Sequence, residues 1–443
     1  MSNANVISAL ANAFLSGDLV AEDLVARAAA TLGHSWRWLP PLANRYLREF
    51  GGGVRPRHRD VVRFLRDDAG FRRACTRHKR RLGVTALLAE SQRMLPAAAA
   101  ESWNVPAIES IGALADSLEV RIPDLEWFAD LRDLSRLDGS SNLGHYHYRV
   151  LAKDSSSIRL IEAPKPRLKI IQQRILADIL DRISPHPAAH GFRKGRSILS
   201  FAAPHAAKRV VLKMDLRDFF VSISGVRVQA LFRTAGYPES VADLLGGLCT
   251  NAVPRGSWPH VDGSVGARTL YAARVQYARP HLPQGAPTSP AIANLCAYRF
   301  DCRLAGLAES AGATYTRYAD DLAFSGGPEF ERRVERFATH VAAILDEEGF
   351  AVHHRKTRIM RQGVRQRVAG VVVNRAVNVI RADFDRLKAT LTNCVRLGPE
   401  SQNRERHPSF HAHLLGRISF VEMVSPAKAH RLRELFDQIR WSA

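Results

Sequence analysis

An α+β fold is the class this sequence predicts, with a mixed core of strands and helices between two helical flanks. Three observations carry that expectation. The pair Asp320-Asp321 stands between two alternating segments: Tyr315 and Arg317 alternate with threonines before it, and Leu322 and Phe324 with Ala323 and Ser325 after it. Such a pattern is a hairpin with the acids at its tip. The apolar run Val210-Val211-Leu212 leads to a third acid, Asp215, near the end of a buried strand. Both ends of the chain repeat apolar residues at helical spacing, as in Val6, Leu10, Phe14 and Leu15, or Leu24, Ala28 and Leu32.

Taken in order, residues 1 to about 90 are expected to be helical. The stretch Arg55 to Arg81 is rich in base and ends in Arg77-His78-Lys79-Arg80-Arg81. A solvated helix face and a nucleic-acid contact fit it equally well. Two short helices follow between Val105 and Leu134, with Pro123 at a helix start. Asp138-Gly139-Ser140-Ser141-Asn142 is the candidate linker. His145 to Val150 and Ile158 to Ile161 alternate around a turn at Asp154–Ser157, which predicts a hairpin. A helix is expected from Lys169 to about Ile183, where Ile171, Ile175, Ile179 and Ile183 are spaced by four. The insertion from Asn251 to Pro280 holds Trp258, Tyr271 and Tyr277 among arginines, and fits a packed surface hairpin or a platform for stacking bases. Val334, Phe337, Ala338, Val341 and Leu345 mark a helix closed by Gly349, and from Arg381 onward the pattern is again helical. The expected divisions are a helical N-terminal extension over 1–137, a mixed core over 138–373 and a helical end over 374–443.

With 443 residues the chain exceeds one ordinary core, and 46% hydrophobic residues can fill two or three. Lys plus Arg number 64 against 43 Asp plus Glu, so a net charge of +21 calls for a polyanionic partner, most simply nucleic acid. The five cysteines are scattered without Cys-x-x-Cys spacing, which supports neither a disulfide framework nor a zinc site. His145 with His147, and His353 with His354, lack acid or cysteine partners at ligand spacing. No apolar run approaches the roughly 18 residues of a membrane span, and the N-terminus lacks a basic-then-apolar leader, so no membrane partner and a reducing cytoplasm are expected.

The acids carry the chemistry. Adjacent carboxylates in an apolar hairpin repel one another unless a cation neutralises them. A hard divalent metal with oxygen ligands suits them. Asp215, Asp320 and Asp321 on neighbouring strands are therefore expected to hold two Mg²⁺ ions, which can activate a 3′-hydroxyl and stabilise a leaving pyrophosphate.

These acids combine with the loop Leu282-Pro283-Gln284-Gly285-Ala286-Pro287-Thr288-Ser289-Pro290 to resemble, in chain order, polymerase motifs A, B and C of reverse transcriptases. His190-Gly191-Phe192-Arg193-Lys194-Gly195-Arg196-Ser197-Ile198 is similar to a motif of retron-type bacterial enzymes. Phe201-Ala202-Ala203-Pro204-His205 stands where retron enzymes carry Asn-Ala-x-x-His, and Val368-Ala369-Gly370 where they carry Val-Thr-Gly. His205 matches, whereas Phe201 and Ala369 depart from the pattern.

The resemblance spans about Leu125 to Gln438 and implies a right-hand polymerase of fingers, palm and helical thumb. It implies metal ligation by the three aspartates and a general-acid role for Lys356 toward pyrophosphate. Nucleotide binding would fall to Arg159 and Lys165, with Lys169 nearby, to Gln284 and Gly285, and to Phe220 as the aromatic that excludes a ribose 2′-OH. RNA contacts would fall to His205, Arg365, Arg367, Val368 and Gly370. Its implied partners are a cognate noncoding RNA serving as template and primer, the DNA product, dNTPs and a separately encoded effector protein, in antiphage defence. A group II intron, diversity-generating or unclassified defence enzyme would keep the chemistry and change the RNA. A non-catalytic RNA scaffold would have no need of Asp320 and Asp321 together.

Overall fold

The computed structural model describes the chain apart from residues 1–2, 53–54, 80, 88–91, 133, 135–143, 155–156, 259–265 and 442–443. The expected linker at 138–142, the tip of the turn at 155–156 and Arg80 lie outside the described residues. Two compact units emerge, each made of two stretches: Met1–Ser184 with Phe220–Cys296, and Pro185–Phe219 with Ala297–Ala443.

In the first unit, helices Asn3–Leu15, Ala21–Leu32, Leu39–Phe50, His58–Asp67 and Ala69–Arg77 bury the faces that their spacing predicts. Leu10, Phe14, Leu24, Ala28, Leu42, Tyr46, Leu65 and Phe71 form one core. Each large side chain there contributes roughly 1.5–3 kcal/mol by leaving water. Main-chain bonds tie this extension to the helices Gly225–Thr234 and Glu239–Cys249: Leu95 N–H donates to Gly236 O (2.9 Å) and Ala97 N–H to Thr234 O (3.0 Å). The hairpin of β1 (Tyr146–Asp154) and β2 (Ser157–Pro164) is antiparallel, with Tyr146 opposite Pro164. Pro166, whose missing N–H costs nothing in a first turn, starts the next helix at Pro166–Asp178, three residues before the expected Lys169. Among its described residues the insertion forms a helix, Ala267–Tyr277, in place of the expected hairpin. Leu270, Ala273 and Tyr277 recur at helical spacing, and Tyr277 is buried against Leu160 and Val253.

The second unit is built on an antiparallel sheet. Its centre is β3 (Val210–Arg217), and the order is β4 (Ala313–Tyr318), β5 (Asp321–Gly326), β3, β6 (Ala351–Val352), with β7 (Arg358–Arg361) also paired to β3. Helix Pro328–Glu347 presses Phe330, Val334, Phe337, Val341 and Leu345 inward. Arg317 and Asp301 are fully buried together, joined by two hydrogen bonds of 2.9 and 2.7 Å. Removing either partner would strand a charge in the core, at a cost of about 3–5 kcal/mol. A small sheet follows from β8 (Arg367–Val368), β9 (Val371–Val372) and β10 (Asn378–Val379). The β8–β9 turn is Ala369-Gly370, with φ of 41° and 84°. Positive φ at both central residues is a type I′ turn, which matches the twist of paired strands. The chain then forms helices Arg381–Leu397, Phe410–Val424 and Pro426–Asp437 around Leu387, Leu391, Leu414, Ile418, Leu432 and Phe436.

Candidate active site

Strand pairing brings the acids together. Asp215 lies directly opposite Asp321 in the β3–β5 register. Ala319 and Asp320 form the two-residue turn between β4 and β5, since Tyr318 pairs with Asp321. Ala319 has φ 55°, so the first central residue takes the position that a type II′ turn usually gives to glycine. The main chain fixes the acids further: Leu216 N–H donates to Asp320 O (2.9 Å), and His353 N–H to Asp215 O (2.8 Å). Lys356 Nζ donates to Asp215 Oδ1 at 2.9 Å. Lys213 Nζ sits 2.8 Å from Asp321 Oδ1, yet outside hydrogen-bonding alignment, so that buried oxygen accepts no hydrogen bond. The Lys213 ammonium therefore meets Asp321 as a charge contact.

These donors fit a hard divalent cation. Two carboxylates face each other across paired strands, one with an unbonded buried oxygen, and Asp320 adjoins both. Among the described residues no three acidic, histidine or cysteine side chains converge on a single point, so the third carboxylate is placed beside the pair and not within one closed cluster. Lys213 was not singled out from sequence. Its signal was present, because a residue two before Asp215 on a strand shares its face.

Beneath the turn runs the segment around His190. His190 N–H donates to Arg317 O (2.8 Å) and Arg317 N–H to Ala188 O (2.7 Å). A Cβ on Gly191 would lie 2.6 Å from Ala319 N, so only glycine lets this segment pass so close to the Ala319-Asp320 turn. Phe201, the departure from the retron pattern, is fully buried with its ring centroid 5.8 Å from that of Tyr318. The apolar surroundings of Ala202, Val211, Ala323 and Val368 explain an aromatic there.

Two expected RNA contacts are corrected. His205 is fully buried, with Nδ1 2.7 Å from Ser325 Oγ and Nε2 2.7 Å from Thr316 Oγ1. Val368 is fully buried in the same core. Both brace the sheet, and neither side chain can reach a strand of RNA from there. Arg365 and Arg367 are exposed and Gly370 is half-buried at the β8–β9 turn. Burial pushes the His205 imidazole down to about 3. The unfolded chain takes up a proton below about pH 6.5 that the native state refuses, so this contribution is full above that pH and is lost as pH falls from about 6.5 toward 3. Between pH 6.5 and 5 the wild type is expected to lose about 2 kcal/mol more stability than His205→Gln, measured by urea unfolding at each pH.

The nucleotide candidates lie in the other unit. Arg159 projects from β2 opposite Leu151, and Lys165 begins the helix that follows. The Gln284 loop lies on this hairpin: Glu162 N–H donates to Gln284 O at 2.8 Å. Gly285 has φ 133°, and a Cβ there would meet Glu162 O at 2.9 Å. Behind the loop, buried Glu162 holds His281 Nε2 (2.9 Å) and Asn251 Nδ2 (2.7 Å). His281 Nδ1 faces Arg279 O at 2.7 Å. No local pattern points to this network, because its members are scattered between residues 162 and 281. Phe220 is half-buried, while its neighbour Phe219 is buried against Phe350.

Comparison with known proteins gives the family. The profile of the reverse transcriptase (RNA-dependent DNA polymerase) family matches residues 151–373. The chain belongs to that family. It is of the retron type: it is 43% identical over 293 residues to the retron Mx65 reverse transcriptase of Myxococcus xanthus, covering 65% of this chain and 63% of that relative. The retron Mx162 reverse transcriptase of the same organism is 38% identical over 345 residues, or 74% of this chain and 67% of the relative. The retron Ec86 reverse transcriptase of Escherichia coli is 29% identical over 291 residues, covering 65% and 79%. Among the described residues, no helix is long and apolar enough to cross a membrane.

Proposed function

We propose that this reverse transcriptase copies a cognate structured noncoding RNA into single-stranded DNA, with that RNA as template and primer and dNTPs as substrates. The observation that carries the reading is Asp215 facing Asp321 across β3 and β5, with Asp320 in the adjoining turn. Asp215, Asp320 and Asp321 would hold two Mg²⁺ ions, and what bound Mg²⁺ supplies is activation of the priming hydroxyl and charge neutralisation at the pyrophosphate. Lys356, against Asp215, is positioned to give a proton at its Nζ. Arg159 and Lys165 bind phosphate, Gln284 and Gly285 line the nucleotide, and Phe220 guards the sugar. By kinship with the retron enzymes, the work is done in the cytoplasm, in antiphage defence, with a separately encoded effector. Sequencing the nucleic acid that copurifies with the protein tests this: RNA–DNA joined at one branch point is expected, and RNA without attached DNA would overturn it.

The choice of RNA belongs to residues from about 375 to 443, in this reading. Arg375, Arg381, Arg386 and Lys388 supply charge there, but charge carries no sequence information, so selection rests on RNA shape and unpaired bases. Exchanging this segment for that of a relative with a different RNA is expected to redirect priming to the new RNA. A chimera that stays active and keeps its original RNA would move the choice to the N-terminal extension.

A further inference from the structure

The first unit contains a cavity of about 1040 Å³, open to solvent, between the N-terminal helices and helix Gly225–Thr234. Arginines line it. Arg55 is 5% exposed, and Arg57 and Arg233 are half-buried beside it. Arg48, Arg59 and Arg63 extend the charge to the exposed rim.

Three guanidinium nitrogens in this group, Arg55 Nε, Arg57 Nε and Arg233 Nη1, are buried with no hydrogen-bond partner. Among the described residues, the Arg233 side chain makes no hydrogen bond or ion pair at all. The other polar reach of Arg55 goes to the carbonyls of Leu15 and Gly17, and that of Arg57 to Gln229 Oε1 at 2.8 Å. Asp243 is 3.7 Å from Arg57 and leaves its own Oδ1 without a hydrogen bond. Of the four acids in the lining, Asp68 is held by Arg45 and by Phe71 N–H and Asp60 by Arg63, while Glu49 and Asp67 are exposed. Burial pushes the Arg233 guanidinium down and the neighbouring Arg57 pushes it further, while Asp243 and Glu239 act the other way.

Like charges held half-buried, with N–H groups left over, are costly unless an anion completes them. Guanidinium forks match the oxygens of a phosphate. An open mouth ringed by further arginines suits a chain of phosphates more than one small ion. We propose that this cavity is a phosphate-binding site for a strand of RNA, with Arg57 and Arg233 as its inner contacts and Arg48, Arg59 and Arg63 along its rim. The site is separate from the carboxylates and gives the basic N-terminal extension a defined role in holding RNA.

The test is binding of a short fluorescent single-stranded RNA to the full chain, without divalent metal or dNTP, so that it stands or falls apart from the polymerase reading. Arg57→Gln and Arg233→Gln are each expected to weaken binding about tenfold and to lower the slope of log affinity against log salt by about 1. Arg81→Gln, an exposed arginine of the same basic run outside the cavity, is the comparison. Arg233 makes no hydrogen bond to break, and an unchanged melting temperature shows that its variant is folded. A folded Arg233→Gln with unchanged slope, or a loss no greater than that of Arg81→Gln, would overturn the site. Pyrophosphate stabilising the wild type but not Arg233→Gln, with RNA affinity intact in the variant, would replace the strand with a small ligand.

Discussion

Asp320→Asn is expected to cut primer extension by about a thousandfold or more while RNA binding is retained. The substitution keeps the size of the side chain and removes one charge. The main chain holds the turn through contacts that the substitution keeps: Leu216 N–H bonds to Asp320 O, and Tyr318 pairs with Asp321. Asp215 and Asp321 each touch an ammonium, Lys356 and Lys213 respectively. Neutralising either would leave a lysine half-paired in the site as well as remove a ligand. Extension and RNA binding should be measured on one preparation. Undiminished extension would remove the two-metal assignment, and joint loss of both activities would point to misfolding.

The parts of this site that were legible in the sequence share one property: their signal is local. The period-two alternation around Asp320-Asp321 placed the hairpin correctly, and the apolar run before Asp215 placed β3. The helical faces of residues 6–32 and of the C-terminal segment are buried as their spacing requires. What the sequence hid depends on which distant residues fill one core. His205 matches a retron motif, yet its ring is satisfied by Ser325 and Thr316, more than a hundred residues away. A motif identifies a residue without saying whether solvent reaches it. The insertion misled for another reason. Its aromatic residues drew attention, while the weaker helical spacing of Leu270, Ala273 and Tyr277 decided the structure. The Arg317–Asp301 pair joins a strand to a helix and has no pattern that a linear reading could find.

Phe220→Ala is expected to lower the preference for deoxyribonucleotides over ribonucleotides by about a hundredfold, read as the ratio of kcat/KM for a matched pair. The local structure separates the two adjacent phenylalanines that follow β3. Asp218 takes φ 50°, which turns the chain sharply at the strand end. Phe219 is then 4% exposed, with its ring centroid 5.8 Å from that of Phe350 and the Arg317 guanidinium 5.9 Å from its face. Phe220 keeps part of its surface in solvent. Truncating Phe219 should therefore act on stability, by about 3–5 kcal/mol, and leave the sugar preference alone. Truncating Phe220 should do the reverse, because a ring that excludes a 2′-hydroxyl works by bulk that the core does not need. The pair distinguishes a gate from a packing residue within one dipeptide. An active Phe220→Ala with an unchanged ratio would assign both rings to packing, and the discrimination would then have to come from the Gln284 loop, whose backbone is held at Glu162.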